Sequence, residues 1–250
     1  MKNIFERGLR LFDGIIYKPV KRYSTFFHIK SVFNDEWYNF ISPTIEANLL
    51  DWDNAKSIIS SEKANGVSMS YYISEKLVSS YKKYFSEAGK NNCIGSDYYI
   101  CKHIDNKSTP IGELVLVDDQ TIEVLINMAK ICFPEWNNNE EYARQLYKNQ
   151  KISNHKIARN YLFKYDNNLV GFCGLIGSES DNLSYFHNIG VLPEFRRNGY
   201  FTAMIKHLIN ISLEYDITDT YALVENGSGS YHGLTKLGYK VDDKYHLFST

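Results

Sequence analysis

The chain has 250 residues, 44% hydrophobic, 23% charged and 15% aromatic, which supports a buried core and excludes wholesale disorder. Lys and Arg number 28 against 29 Asp and Glu, so the surplus that a sequence-independent nucleic-acid binder needs to displace counterions is missing. No stretch approaches the roughly 18–20 apolar residues that cross a bilayer. The start, Met1-Lys2-Asn3-Ile4-Phe5-Glu6-Arg7, breaks its apolar character too early for a secretory leader. Lys18, Lys21 and Arg22 read as a solvated loop. Cys93, Cys101, Cys132 and Cys173 make no C-x-x-C pair, so a reducing cytoplasm without disulfides or structural zinc is expected.

In chain order, Val67, Met69, Tyr71 and Ile73 alternate with Ser68, Ser70 and Tyr72, the period of a half-buried strand. Ser74 can cap a helix over 75–87 that Gly89 ends. Residues 97–101 read as another strand. The polar run 105–110 resembles a linker. Residues 112–117 read as a strand, and Ile122, Leu125, Ile126 and Ala129 share one face of a helix over 120–133. A second helix follows over 140–148, then a hairpin of 160–165 and 169–176 around Asp166-Asn167-Asn168. A strand over 183–191, a long helix over 201–215 and a strand over 220–224 come next. A glycine-rich turn leads to a short helix over 230–237 that Gly238 stops. A last hairpin, 239–241 with 245–248, would turn at Asp242-Asp243. This order implies an α/β (α+β) fold, a mixed and mostly antiparallel sheet flanked by helices. The strand–helix–Gly–strand order occurs in both halves. Either two copies of one architecture stand in tandem, or one α/β domain carries an N-terminal extension.

The most informative stretch runs Asn188-Ile189-Gly190-Val191-Leu192-Pro193-Glu194-Phe195-Arg196-Arg197-Asn198-Gly199-Tyr200-Phe201. A strand ends, Pro193 stops its ladder, and a basic glycine-containing turn opens into a helix. Unpaired N–H groups and the helix dipole make such a terminus suited to phosphate or pyrophosphate; the other reading is an ordinary strand-to-helix turn with two solvated arginines. Neither G-K-[ST] nor G-x-G-x-x-G is present, so it is not one of the two familiar phosphate loops.

This stretch resembles the hallmark of the GNAT acyltransferase superfamily, V-x-P-x-x-R merging into [RQ]-x-x-G-x-[GA]. Val191, Pro193, Arg196 and Gly199 match it. The element order of the second half and the ending Lys236-Leu237-Gly238-Tyr239, similar to the family's K-x-G-F, agree. The resemblance implies a catalytic acyl-CoA-binding domain over 109–250 and a degenerate GNAT-like or accessory domain over 1–108. It implies acetyl-CoA as acyl donor, with no metal. Its pyrophosphate would lie on the backbone of Arg196, Arg197, Asn198, Gly199, Tyr200 and Phe201 and on the Thr202 hydroxyl. Its pantetheine arm would pair with Ile189, Gly190 and Val191, with Asn226, Ser230 and Tyr231 beside it. Phe201 departs from the motif's final Gly or Ala, and its ring would crowd the phosphates unless it points into the core. Leu234 stands where the family often has an acidic tyrosine; Tyr231, one turn earlier, is the replacement acid or a wall of the CoA channel.

Direct acyl transfer requires proximity and a polarised thioester carbonyl, for which the resemblance implies a backbone N–H near Val191. An amine with a pKa near 10.4 costs about 4–5 kcal/mol to deprotonate at pH 7, so a base is expected. His187, four residues before Val191 and hence on its face, is the first candidate base, and His232 the second. Cys173 lies in an apolar strand and reads as core. Glu179 and Asp181 could attract a cation or be solvated. Trp37, Trp52 and the tyrosine pairs 71–72 and 98–99 read as core, in a half that would wall the acceptor site or replace a dimer partner. The expected activity is N-acetyl transfer to an amine of a small molecule or protein, by a monomer or weak homodimer without nucleic-acid or membrane partners. A non-catalytic acyl-CoA sensor or scaffold, and another phosphate-ligand protein, are the alternatives.

Overall fold

A computed structural model describes residues 4–44, 50–87, 93–134, 139–152 and 157–250. One sheet of eleven strands forms the centre, in the order β1-β2-β3-β4-β11-β5-β10-β9-β8-β7-β6. The N-terminal part supplies α1 (Ile4–Phe12), β1 (Lys21–Arg22), β2 (Phe26–Ile29), β3 (Phe40–Pro43), α2 (Trp52–Ala64), β4 (Ser70–Ser74), α3 (Glu75–Glu87) and β5 (Cys93–His103). There follow β6 (Glu113–Leu116), α4 (Ile122–Cys132), α5 (Asn139–Ile152), β7 (Ile157–Tyr165), β8 (Asn168–Ser178) and β9 (Leu183–Val191). After a 3-10 turn at Pro193–Phe195 come α6 (Tyr200–Glu214), β10 (Asp219–Val224), α7 (Gly229–Lys236) and β11 (Lys240–Ser249). The expected mixed, mostly antiparallel sheet with helices on both faces is what the chain forms. No described helix is long and apolar enough to cross a membrane.

The sheet repeats itself. Strands β1 to β4 are joined antiparallel, antiparallel, parallel, and β7 to β10 follow the same sequence of pairings. Each set ends in a helix, α3 or α7, and one further strand, β5 or β11. These two last strands pair antiparallel at the centre of the sheet. Each also pairs with the fourth strand of the other set, β11 with β4 and β5 with β10.

That exchange replaces the expected C-terminal hairpin. Residues 240–249 form one strand, because β5 accompanies them from Cys101 opposite Lys240 to Cys93 opposite Phe248. Asp242 and Asp243 sit in a bulge rather than a turn, and Asp243 is buried where it accepts a hydrogen bond from Ser74 Oγ at 2.9 Å. The helix over 75–87 forms with Ser74 Oγ accepting from Lys76 N–H; Gly89 lies outside the described residues. Asp166 and Asn167, at φ 49° and 63°, make the tight β7–β8 turn.

Strand β4 has an alternating sequence yet is buried along its whole length. Tyr72 faces α1, where it joins Phe5, Phe40 and Tyr245, while Tyr71 and Ile73 pack on Trp52, Ile59 and Tyr81 of α2 and α3. The same division runs across the sheet. On the α1 face, Tyr99, Tyr221, Tyr245 and Leu247 meet Phe5, Leu9 and Phe12 of α1 and Tyr142 and Leu146 of α5. On the opposite face, Ile100, Ala222, Val224 and Phe186 meet Met204, Ile205 and Leu208 of α6 and Leu234 of α7. Each large apolar side chain so buried contributes about 1.5–3 kcal/mol.

Candidate functional site

Strands β9 and β10 lie parallel and pair at Leu183 with Asp219, Ser184 with Thr220 and Tyr185 with Tyr221. Beyond Tyr185 the pairing stops, although β9 continues to Val191 and β10 to Val224. Two parallel strands that diverge leave a gap in the sheet with unspent backbone donors and acceptors along it. A cavity of about 690 Å³ occupies this gap and reaches both faces of the sheet. Towards α6 and α7 it is lined by Phe201, Ser230 and Leu234. Towards α1 it is lined by Tyr185, His187, Tyr221, Asp97 and Tyr72. Residues from the first hundred therefore wall the same space as β9 and β10.

The expectation that His187 shares a face with Val191 fails. Gly174 pairs with His187 and Phe172 with Gly190, so β9 holds one more residue than β8, and Asn188 takes φ 50°. This bulge reverses the alternation of side chains. Ile189 and Val191 pack towards α6, whereas the His187 ring stacks on Tyr185, centroids 5.5 Å apart, on the α1 face. His187 is 4% exposed, both ring nitrogens lack a hydrogen-bond partner among the described residues, and burial pushes its pKa down to about 3. At neutral pH it is an uncharged ring and a weak base.

The stretch after β9 has the anticipated strand–turn–helix form. Arg196 Nε donates to the Val191 carbonyl at 3.1 Å and ties the turn to the strand end, and Asn198 Nδ2 donates to the Phe195 carbonyl. Arg197 (φ 69°) and Gly199 (φ 82°) are left-handed, and Gly199 occupies the N-cap of α6 with no side chain capping it. The first N–H groups of the helix, those of Tyr200, Phe201 and Thr202, therefore have no intrahelical acceptor and sit at the positive end of the dipole. The Tyr200 ring turns away, packing on Tyr165 and Phe163 at 5.1 and 5.9 Å. Phe201 does not crowd the turn: its ring lies against Gly233 of α7, where a Cβ would come within 2.6 Å of it.

On α7, Ser228 Oγ caps the helix by accepting from the Tyr231 N–H. The Tyr231 ring packs edge-on against Tyr98 at 5.9 Å and is not among the cavity lining, where Ser230 and Leu234 are found instead. Asn226 and His232 are exposed and also lie outside that lining. Cys173 is buried in the α6-facing core, its thiol pushed up by burial. Asp181 accepts from Arg10 Nε at 2.8 Å.

Two groups of the site escape a reading by motif. Asp97 on β5 lines the cavity and accepts a hydrogen bond from the Tyr72 hydroxyl at 2.9 Å. Burial pushes its carboxyl up to about 6, with Glu225 acting in the same direction and the Tyr72 bond against it. Around it, burial raises the phenols of Tyr38, Tyr72, Tyr99, Tyr185 and Tyr221 well above their usual range, so all remain protonated. The Tyr221 hydroxyl is buried without a described partner. The paired tyrosines were the available signal, since alternate members of each pair face the α1 side.

The sequence profile of the acetyltransferase (GNAT) family matches residues 122–239. No curated protein matches the sequence. Among solved structures, a GCN5-related N-acetyltransferase from Kribbella flavida is similar over 100% of this chain and 96% of its own, with TM-score 0.69 and 11% identity. One from Sphaerobacter thermophilus is similar over 98% and 84%, with TM-score 0.65 and 11% identity. A tandem GNAT protein from the clavulanic acid biosynthesis pathway is similar over 92% and 80%, with TM-score 0.60 and 10% identity. At such identities the likeness is one of fold, and it extends over both halves. With the strand divergence, the uncapped α6 and the matching profile together, residues 122–239 are a domain of the GNAT acetyltransferase family.

Proposed function

We propose that the protein transfers an acetyl or other short acyl group from acyl-CoA directly to an amine. The observation that carries this reading is the β9–β10 divergence placed beside the uncapped N-terminus of α6. Bound acetyl-CoA supplies an activated thioester. The N–H groups from Arg197 to Thr202 hold its diphosphate, with Arg196 keeping the turn against Val191. Ile189, Gly190 and Val191 offer the unpaired strand edge to the pantetheine arm, and the N–H at Val191 polarises the thioester carbonyl. The amine approaches through the gap from the α1 side. Polar atoms along the gap without partners among the described residues, the Asn188 side-chain carbonyl among them, support a ligand there. We assign catalysis to 109–250 and the acceptor wall to 1–108, with β5 as the shared strand.

Tyr231 outside the cavity and Leu234 within it favour a second reading, an acyl-CoA sensor without turnover. Calorimetric titration with acetyl-CoA beside a thiol-release assay over a panel of amines separates the two. Binding with release supports the acyltransferase, and binding with no release from any amine supports the sensor. Absence of binding removes both.

A further inference from the structure

We propose that the α1 side of the cavity binds a small organic ammonium with an apolar or aromatic body, and that Asp97 holds its charge. The acyltransferase reading enters only in identifying this ligand with the acyl acceptor. The charged residues lining the cavity are Asp35, Asp97 and Glu225; no Lys or Arg lines it among the described residues. The Asp35 carboxylate is occupied by the Trp37 N–H. Asp97 has no cation paired with it among the described residues, and its hydrogen bond comes from a neutral phenol. A carboxylate drawn from water and left without a counter-ion is unfavourable, and an entering ammonium would relieve it.

The surroundings suit such a ligand. Tyr72, Tyr99 and Tyr185 present rings to the same space, and aromatic faces attract a desolvated cation. Tyr221 and His187 are almost wholly buried, line the cavity and keep polar atoms without partners among the described residues. A buried hydroxyl and a buried neutral imidazole without partners are unusual in a finished core, and both can accept from an N–H. The space is about 690 Å³, which fits a small molecule rather than a protein segment.

The test is calorimetric titration of the full chain at pH 7.5 with 2-phenylethylamine, tyramine and n-hexylamine, each beside the alcohol that replaces its amino group. At least one amine should bind about tenfold or more tighter than its alcohol. Asp97→Asn should bring that pair within about twofold while acetyl-CoA affinity holds. If no amine is preferred to its alcohol, or if the preference survives in Asp97→Asn, the proposal is wrong. An Asp97-dependent preference without acetyl-CoA binding would remove the acyltransferase reading and leave this site. Transfer to a panel amine that ignores Asp97 would do the reverse.

Discussion

The two parallel crossovers of the sheet, β3–α2–β4 and β9–α6–β10, share one path and differ at the point where an anion would bind. Helix α2 is capped by Asp51, whose carboxylate accepts the Asn54 N–H, and carries Asp53 in its first turn. Helix α6 is capped by Gly199, has no acidic residue in its first turn, and follows Arg196 and Arg197. A carboxylate at the cap satisfies the donors and repels phosphate, whereas glycine leaves them open. One crossover thus has a capped helix, and the other leaves its first backbone donors without a side-chain cap. The first half contributes in another way, by inserting β5 and by lining the cavity with Tyr72, Asp97 and Tyr99.

The sharpest way to break this division is to express 109–250 alone. Strands β10 and β11 would both lose β5, their neighbour across six and eight paired positions. Calorimetry should show no cooperative thermal transition for the fragment, and co-expression of 1–108 should restore one.

Asp97→Asn comes next. The folded carboxyl titrates near 6 against an unfolded value near 3.9, so the folded state holds the extra proton between them. Wild type therefore loses stability as pH rises from about 4 to about 6. The asparagine variant should be more stable by up to about 3 kcal/mol at pH 7, with the gain vanishing below about pH 4. Urea unfolding at pH 4, 5.5 and 7 measures this. Tyr72 and Glu225 face Asp97, with Tyr17, Tyr38, Tyr99 and Tyr185 around it, and burial raises all these phenols out of that range. In turnover, kcat/KM for the amine should fall as pH drops through about 6. His187, already neutral down to about 3, should add no limb near 6.5.

Gly199→Asp copies the α2 cap onto α6. Aspartate tolerates the left-handed conformation better than most residues, so stability should change by about 1 kcal/mol or less. Acetyl-CoA affinity should fall about a hundredfold, equivalent to about 2.7 kcal/mol. Asp51→Gly, the reverse change, should create no second acetyl-CoA site, because α2 has no arginine pair before it. The last test is Gly233→Ala. Its Cβ would press on Phe201 at 2.6 Å and cost about 1–3 kcal/mol in a melting experiment. Any loss of acetyl-CoA affinity would report the ring swinging back over the turn.

Most elements from residue 67 onwards were legible because their signals are local. The helix over 75–87 and the strand over 183–191 lie where periodicity and capping put them. In the first 66 residues, β1 to β3 show no alternation, being two to four residues long with β2 and β3 buried on both faces, whereas α1 and the Asp51-capped α2 carry local signals in their apolar spacing and cap. The site was half legible. Val191, Pro193, Arg196 and Gly199 announce the turn because each acts on its own neighbours: a strand end, a ladder stop, a tether and a helix cap. Asp97 announces nothing, because its meaning comes from partners distant in the chain, among them Tyr72, Tyr245 and Glu225.

By itself the sequence determined most element types from residue 67 onwards and the strand–turn–helix form after β9, which follow from interactions within a few residues. The tertiary structure alone decided that β5 would separate β10 from β11, turning an expected hairpin into one long strand. It also decided that the bulge at Asn188 would send His187 and Val191 to opposite faces. Both outcomes depend on which strand supplies the hydrogen-bonding partner, and a period-2 pattern is silent about the partner it will meet.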